Sequence, residues 1–450
     1  MPPQEPSHFT VIDLFFSFIY VSIIVLIYSE IKTKNSAIPY YRFFLSGMLV
    51  KILGVVVLCY VYMYHYAGGD TTSYFLDAKI LGNLFWKNPD AFFKIVFLND
   101  ISSNTFSYFN SHTGWPYYQR DAFSFFFVRL ITPLDLLSFG NYTACSILLA
   151  VVSYSGAWKL YTVLCKQFPS LIKEMAIAIL FMPSVTFFGS GILKDTISLS
   201  CLGWFVYGLY NILNKKYSLK YFLILLISGY LLLSIKPYIL YGLLAASSVW
   251  CAAYYLKNIS LPIIRYIYAP VILALFAIGS SLVIVHIGKE RERFSIEEMG
   301  NEVTTRRAAV DPSPPGSKFT ITKIENSFSS LVKSAPSVIA TALYRPYVWE
   351  TKRNIMMFCV ALENSFLLIF FIILLYKFNI VSLLPAIFSH PFLIFSFFFV
   401  LILSFAVGIS TNNFGTLVRF RIPVIPFYVA GCFILSNIHK MNSKGAPKQE

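Results

Sequence analysis

Apolar runs of roughly 16 to 25 residues recur from one end of this chain to the other. At about 1.5 Å per helical residue, runs of that length match a hydrocarbon core of about 30 Å. They are continuous and do not alternate with period two, which excludes a membrane β-barrel and leaves a bundle of spanning helices. Composition agrees where it matters: 57% of the 450 residues are hydrophobic and 13% are charged, against about 25% charged in soluble globular chains. A disordered chain and a nucleic-acid-binding domain are excluded on the same ground, despite a formal net charge of +15. The expected fold class is all-α, a polytopic transmembrane protein of about eleven spans near 9–29, 43–65, 141–163, 174–189, 191–213, 221–235, 238–256, 262–287, 355–376, 390–409 and 422–438.

The net charge has a topological reading. Lys32, Lys34 and Arg42, then Lys159, Lys166 and Lys173, then Lys215, Lys216 and Lys220, then Lys257 and Arg265, Lys377, and finally Lys440, Lys444 and Lys448 all fall in short loops on one side. Because short cytoplasmic loops collect Lys and Arg, this places the N-terminus outside and the C-terminus, with a tail at 439–450, inside. The alternation holds if 121–137, interrupted by Arg129, Pro133 and Asp135, lies at the outer interface or re-enters. No cleavable signal is read in Met1–His8, so the first helix is expected to stay. The seven cysteines lie in or beside apolar runs without CxxC spacing and are read as packing residues. The chain is treated as one membrane domain, 1–450, with two outer excursions: 66–140, carrying interfacial or re-entrant helices, and the polar 288–354. The outer side is where chemically mixed residues gather.

Gly68-Gly69-Asp70 follows the second helix, where the glycines free the backbone and Asp70 is placed to take a proton from an attacking hydroxyl; the alternative is an Asp that caps the next helix. Asp77 lies two helical turns further on the same face. In Pro183-Ser184-Val185-Thr186-Phe187-Phe188-Gly189-Ser190-Gly191-Ile192-Leu193-Lys194-Asp195, the break at Ser190 precedes a helix start with Lys194 and Asp195 beside it, an arrangement that suits a diphosphate. A plain hairpin facing lipid headgroups is the alternative. Lys236, in Lys236-Pro237-Tyr238, adds a cation at another outer turn. Arg345 and Glu350, in Arg345-Pro346-Tyr347-Val348-Trp349-Glu350, serve either a phosphate or each other, and Glu363 sits within the following helix, where a bare carboxylate is costly. Asn412, Arg419 and Arg421 precede the last helix; an anionic ligand or lipid headgroups would balance the arginines, and Asn412 and Asn413 could bond a sugar. Lys51 is expected to snorkel, His286 lies near an outer helix end, and His112 has no evident partner. No P-loop, dinucleotide fingerprint or Ser-His-Asp spacing occurs.

These stretches, together with Ala361-Leu362-Glu363-Asn364 and Gly415-Thr416-Leu417-Val418-Arg419-Phe420-Arg421-Ile422-Pro423, make the chain resemble bacterial multispanning polysaccharide proteins. These are the polymerase-like and GT-C-like membrane glycosyltransferases, including Wzy-type proteins. The resemblance implies transfer of sugar from a polyprenyl-diphosphate donor on the non-cytoplasmic face of a bacterial inner membrane. Asp70 would then be the base, with Arg345, Arg419 and Arg421 at the phosphates. Asp70 departs from the GT-C pattern in following the second helix, not the first. The residue set assigns Asp70, Glu350 and Glu363 to catalysis, and Asp77, Ser190, Lys194, Asp195, Lys236, Arg345, Asn412, Arg419 and Arg421 to substrate. Expected partners are lipid-linked oligosaccharide, membrane lipids and polysaccharide assembly proteins, with no nucleic acid. No cofactor is named, and a divalent metal on the diphosphate is left open. A flippase or transporter of lipid-linked saccharide would use the same cations, and a non-catalytic partner of envelope assembly is a third reading.

Overall fold

The computed structural model describes residues 6, 8–102, 106–257, 328–351, 354–411 and 413–443. Among them every helix or strand element is a helix. Among the described residues seven helical stretches are long and apolar enough to cross a bilayer, and a pair bent by 63° adds an eighth where it counts as one span, so the chain is a polytopic helical membrane protein. It divides into two compact units, Met1–Pro237 and Tyr238–Glu450.

In the first unit α1 (Val11–Lys34) starts at a capping box between Thr10 and Asp13, and α2 (Phe44–Tyr60) ends in a π-helical turn, Val61–His65. Three helices outside the candidate spans follow: α3 (Asp70–Lys87), the short α4 (Pro89–Val96) and α5 (Ala122–Leu137). The chain then forms α6 (Tyr142–Gln167), α7 (Ile172–Leu180), α8 (Pro183–Phe188), α9 (Lys194–Leu213) and α10 (Leu219–Ile235). Helices α6 and α9 touch backbone to backbone. A Cβ on Gly156 would stand 2.1 Å from the Ser200 carbonyl oxygen, and one on Gly203 would stand 2.0 Å from that of Gly156. Small residues at a helix crossing are how membrane helices gain close packing without a hydrophobic driving force.

Two expected spans take other forms. The segment 174–189 is two short helices, α7 and α8, because Pro183 cannot donate to the preceding turn and pushes Met182 out of helical geometry. The carbonyls freed around Gly189-Ser190-Gly191 are met by hydroxyls: Ser153 donates to Gly189, Ser190 to Thr186 and Thr196 to Gly191. Helix α10 has 17 residues and, at about 26 Å, is shorter than a typical core. The span expected at 262–287, residues 288–327 of the second outer loop and Asn412 lie outside the described residues.

Charge is sorted between the ends of this unit. Lys159 lies over the rings of Trp204 and Tyr207 and feels Lys166 and Lys220, while the Tyr161 hydroxyl donates to the Ile172 carbonyl, so the loops bearing the lysines meet at one end. At the other, Asn141 donates to Asp13 and Tyr142 to Thr71, Asp70, Asp121 and Asp195 surround Lys194, and Asp70 and Asp77 lie near Tyr118.

The second unit starts one residue into α11 (Pro237–Lys257) and holds α12 (Phe328–Tyr344), α13 (Ile355–Phe388), α14 (Pro391–Ser410), α15 (Phe414–Phe420) and α16 (Ile425–Ser443). Its core is aromatic: Trp250 stacks on Phe395, and Phe395 and Phe399 meet Phe427 edge to face.

Candidate functional site

Three chain segments converge at the acidic end of the first unit. The turn before α3 is made by Gly68 and Gly69 at φ +121° and +131°, a region closed to most side chains. Gly69 takes the N-cap position and its amide is met by the Thr72 hydroxyl, so Asp70 is the first residue of α3 and not its cap. Asp121 caps α5, accepting from the Phe123 amide at 3.2 Å and the Ser124 hydroxyl at 2.5 Å. Lys194 opens α9 with its ammonium 3.7 Å from Asp121 and 5.9 Å from the Tyr74 ring centre. Asp70, Asp195 and Lys236 also act on Lys194 electrostatically.

Burial divides this cluster. Lys236 and Asp195 form a 2.5 Å pair that is 7% and 1% exposed, pinning the C-terminal end of α10 to the start of α9. Lys194 and Asp121, at 16% and 44%, form the accessible edge, and Asp70 is half-buried beside them. Burial pushes the Asp121 carboxyl up, but Ser124, Lys194 and the amides of Phe123 and Ser124 together outweigh it and hold the group below its ordinary value. Asp121 is therefore a settled anion at neutral pH. The sequence does not single it out, because an acid ahead of an apolar run reads simply as a helix cap.

Asp77 and Ser190 are used differently from their expected roles. Asp77 is fully buried and accepts the amides of Tyr117 and Tyr118 at 2.8 Å each, clamping that segment to α3. Tyr118 then stacks on Tyr74 with centroids 4.4 Å apart. Ser190, also fully buried, is spent on the Thr186 carbonyl. Lys51, expected to snorkel, is buried beside the break instead, its amine 3.1 Å from where a Cβ on Gly189 would stand.

In the second unit Arg345 holds Glu350 through both oxygens, at 2.9 and 3.1 Å from Nε, and Glu350 also accepts the Tyr347 amide. This is the mutual clamp, and it commits the carboxylate assigned to catalysis. Arg421 is fully buried. It donates to the carbonyls of Ala342, Leu343 and Arg345 at 3.2, 3.0 and 2.9 Å and to Asn364 at 2.5 Å, and Asn364 in turn donates to the Pro346 carbonyl. The two terminal nitrogens of the guanidinium thus close the C-terminal end of α12. Glu363, half-buried, acts on Arg421 electrostatically, and Arg419 is half-buried on α15. Asn413 caps α15 through the amides of Gly415 and Thr416.

Among the described residues no group of three or more His, Cys, Asp or Glu side chains is arranged to hold a metal ion. Comparison of the chain with protein-family models, curated proteins and solved structures finds no match.

Proposed function

We propose that this protein is a membrane glycosyltransferase or polysaccharide repeat-unit polymerase that uses a polyprenyl-diphosphate-linked sugar on the non-cytoplasmic face of a bacterial inner membrane. The observation that carries the reading is the cluster of Asp70, Asp121 and Lys194 over the buried Asp195–Lys236 pair. It stands at the end opposite the lysine-rich loops, and lysine-rich short loops favour the cytoplasm. The acceptor hydroxyl oxygen forms a bond to the anomeric carbon as that carbon's bond to the diphosphate oxygen breaks. The bonding pair leaves with the diphosphate, and the hydroxyl proton passes to Asp70. Lys194 exchanges Asp121 for the diphosphate and stabilises its charge as it departs. The buried pair positions Lys194 by fixing the start of α9.

The test is elongation of a polyprenyl-linked glycan by purified protein in nanodiscs. Asp70→Asn is expected to slow it by about 10²–10⁴-fold and Lys194→Met by about 10²-fold, with melting temperatures near that of the wild type. Wild-type elongation by Asp70→Asn overturns the assignment. Transport of the same lipid-linked saccharide is the second reading, favoured by the broken helix at Gly189–Gly191 with a buried lysine beside it. Its signature is translocation in proteoliposomes without new glycosidic bonds.

A further inference from the structure

The layer α3–α5 leaves an apolar edge uncovered. Trp86 is 76% exposed, Phe93 51%, Phe97 59% and Leu98 75%. The opposite side of α4, through Ala91, Phe92, Ile95 and Val96, is buried. Phe93 and Phe97 stack at 5.6 Å, so the exposed rings form one surface, flanked by Lys87 and Lys94. Asp90 and Lys94 pair at 2.7 Å on the same exposed side, so this side of α4 mixes aromatic rings with charge, the make-up of an interfacial helix.

The depth of the layer is marked by its attachments to the spans. The Tyr20 hydroxyl of α1 donates to the Leu137 carbonyl at the end of α5, and Phe16 stacks on Phe139. Tyr20 is about 10 Å along α1 from Asp13. Phe126, near the start of α5, meets Tyr230, about 7 Å along α10 from Ile235. Helix α5 thus lies along the lipid-facing spans well inside their ends, and α4 is tied to α5 by Arg129, which donates to the Val96 carbonyl and to Asn99. The exposed apolar residues of α1 and α10, the two spans that α5 touches, include Phe15, Phe18, Leu226 and Ile227.

We infer that α3–α5 is a one-leaflet layer whose edge at Trp86, Phe93, Phe97 and Leu98 is immersed in the bilayer, with Lys87 drawn to anionic headgroups. Aromatic rings and lysine stems suit that boundary, and the depth expected of such an interfacial helix is about 5–10 Å. The partner is the lipid itself. The inference does not depend on the sugar reading, although it would let a carrier lipid approach the Lys194 cluster sideways.

The experiment is spin labelling of Phe97→Cys and, separately, Leu98→Cys in full-length protein carrying Cys359→Ser, in nanodiscs of phosphatidylethanolamine with phosphatidylglycerol. Accessibility to oxygen and to a water-soluble nickel chelate is compared. Oxygen should relax both labels more than the chelate does, at a depth of about 5–10 Å. Greater relaxation by the chelate means that water covers the edge and overturns the inference. Protection from both reagents means that protein covers it and overturns the inference equally. A label at Lys216→Cys, in a basic loop, supplies the aqueous reference.

Discussion

Arg421 and Lys194 carry the same charge and do opposite work, and what separates them is what surrounds each. Arg421 spends its guanidinium on three carbonyls and Asn364. An ammonium cannot reproduce that planar fork. Arg421→Lys should therefore lower stability by about 2–4 kcal/mol, seen as a lower melting temperature in detergent. An unchanged melting temperature with lost activity would return Arg421 to substrate binding. Asp77→Ala removes two charge-assisted bonds to buried amides and should cost about 2–4 kcal/mol by the same measurement, with Asp77→Asn intermediate. Asp121 has a pH signature. Its folded value lies below the ordinary 3.8, so its stabilisation is present above about pH 4 and is lost as pH falls through the folded value. Lys194→Met removes one of the groups that hold it down, so the acid decline of melting temperature should begin at higher pH in that variant. Neither Asp121's partner nor Arg421's was legible in the chain order, because Asp121 meets Lys194 across 73 positions and Arg421 meets Ala342 across 79.

At the level of elements, the sequence reads helices well where they are long and uninterrupted and less well where they are broken. The spans at 9–29, 43–65, 141–163 and 191–213 correspond to α1, α2 with its flanking turns, α6 and α9. The 174–189 run reads as one span because its hydropathy is continuous, while Pro183 divides it. Hydropathy averages over the residue that breaks the geometry. The α6–α9 crossing offers a direct check: Gly203→Val places methyl groups where the Gly156 backbone stands. Misfolding, or a loss of more than about 3 kcal/mol, is expected in thermal unfolding. Gly242→Ala, whose Cβ would meet nothing nearer than 3.7 Å, should be tolerated.

At the scale of the whole chain, the proposed orientation rests on the sorting of charge between the ends of the first unit. The orientation proposed above expects Tyr117→Cys, on a residue 76% exposed, to react with a membrane-impermeant maleimide from outside intact cells. Lys216→Cys should react only after permeabilisation. The reverse pattern would turn the molecule over and move the Lys194 cluster to the cytoplasmic side.

Composition and the length of the apolar runs were sufficient to determine an all-helical polytopic membrane protein with lysine-rich loops, because lipid permits few backbone solutions and hydropathy reports them directly. Side-chain partnerships were decided by the tertiary structure alone. Whether a buried charge meets a carbonyl, an amide or an opposite charge depends on which distant helix lies against it. That is why Asp77, Ser190 and Arg421 became struts, and why Asp121 joined Lys194 at the accessible edge.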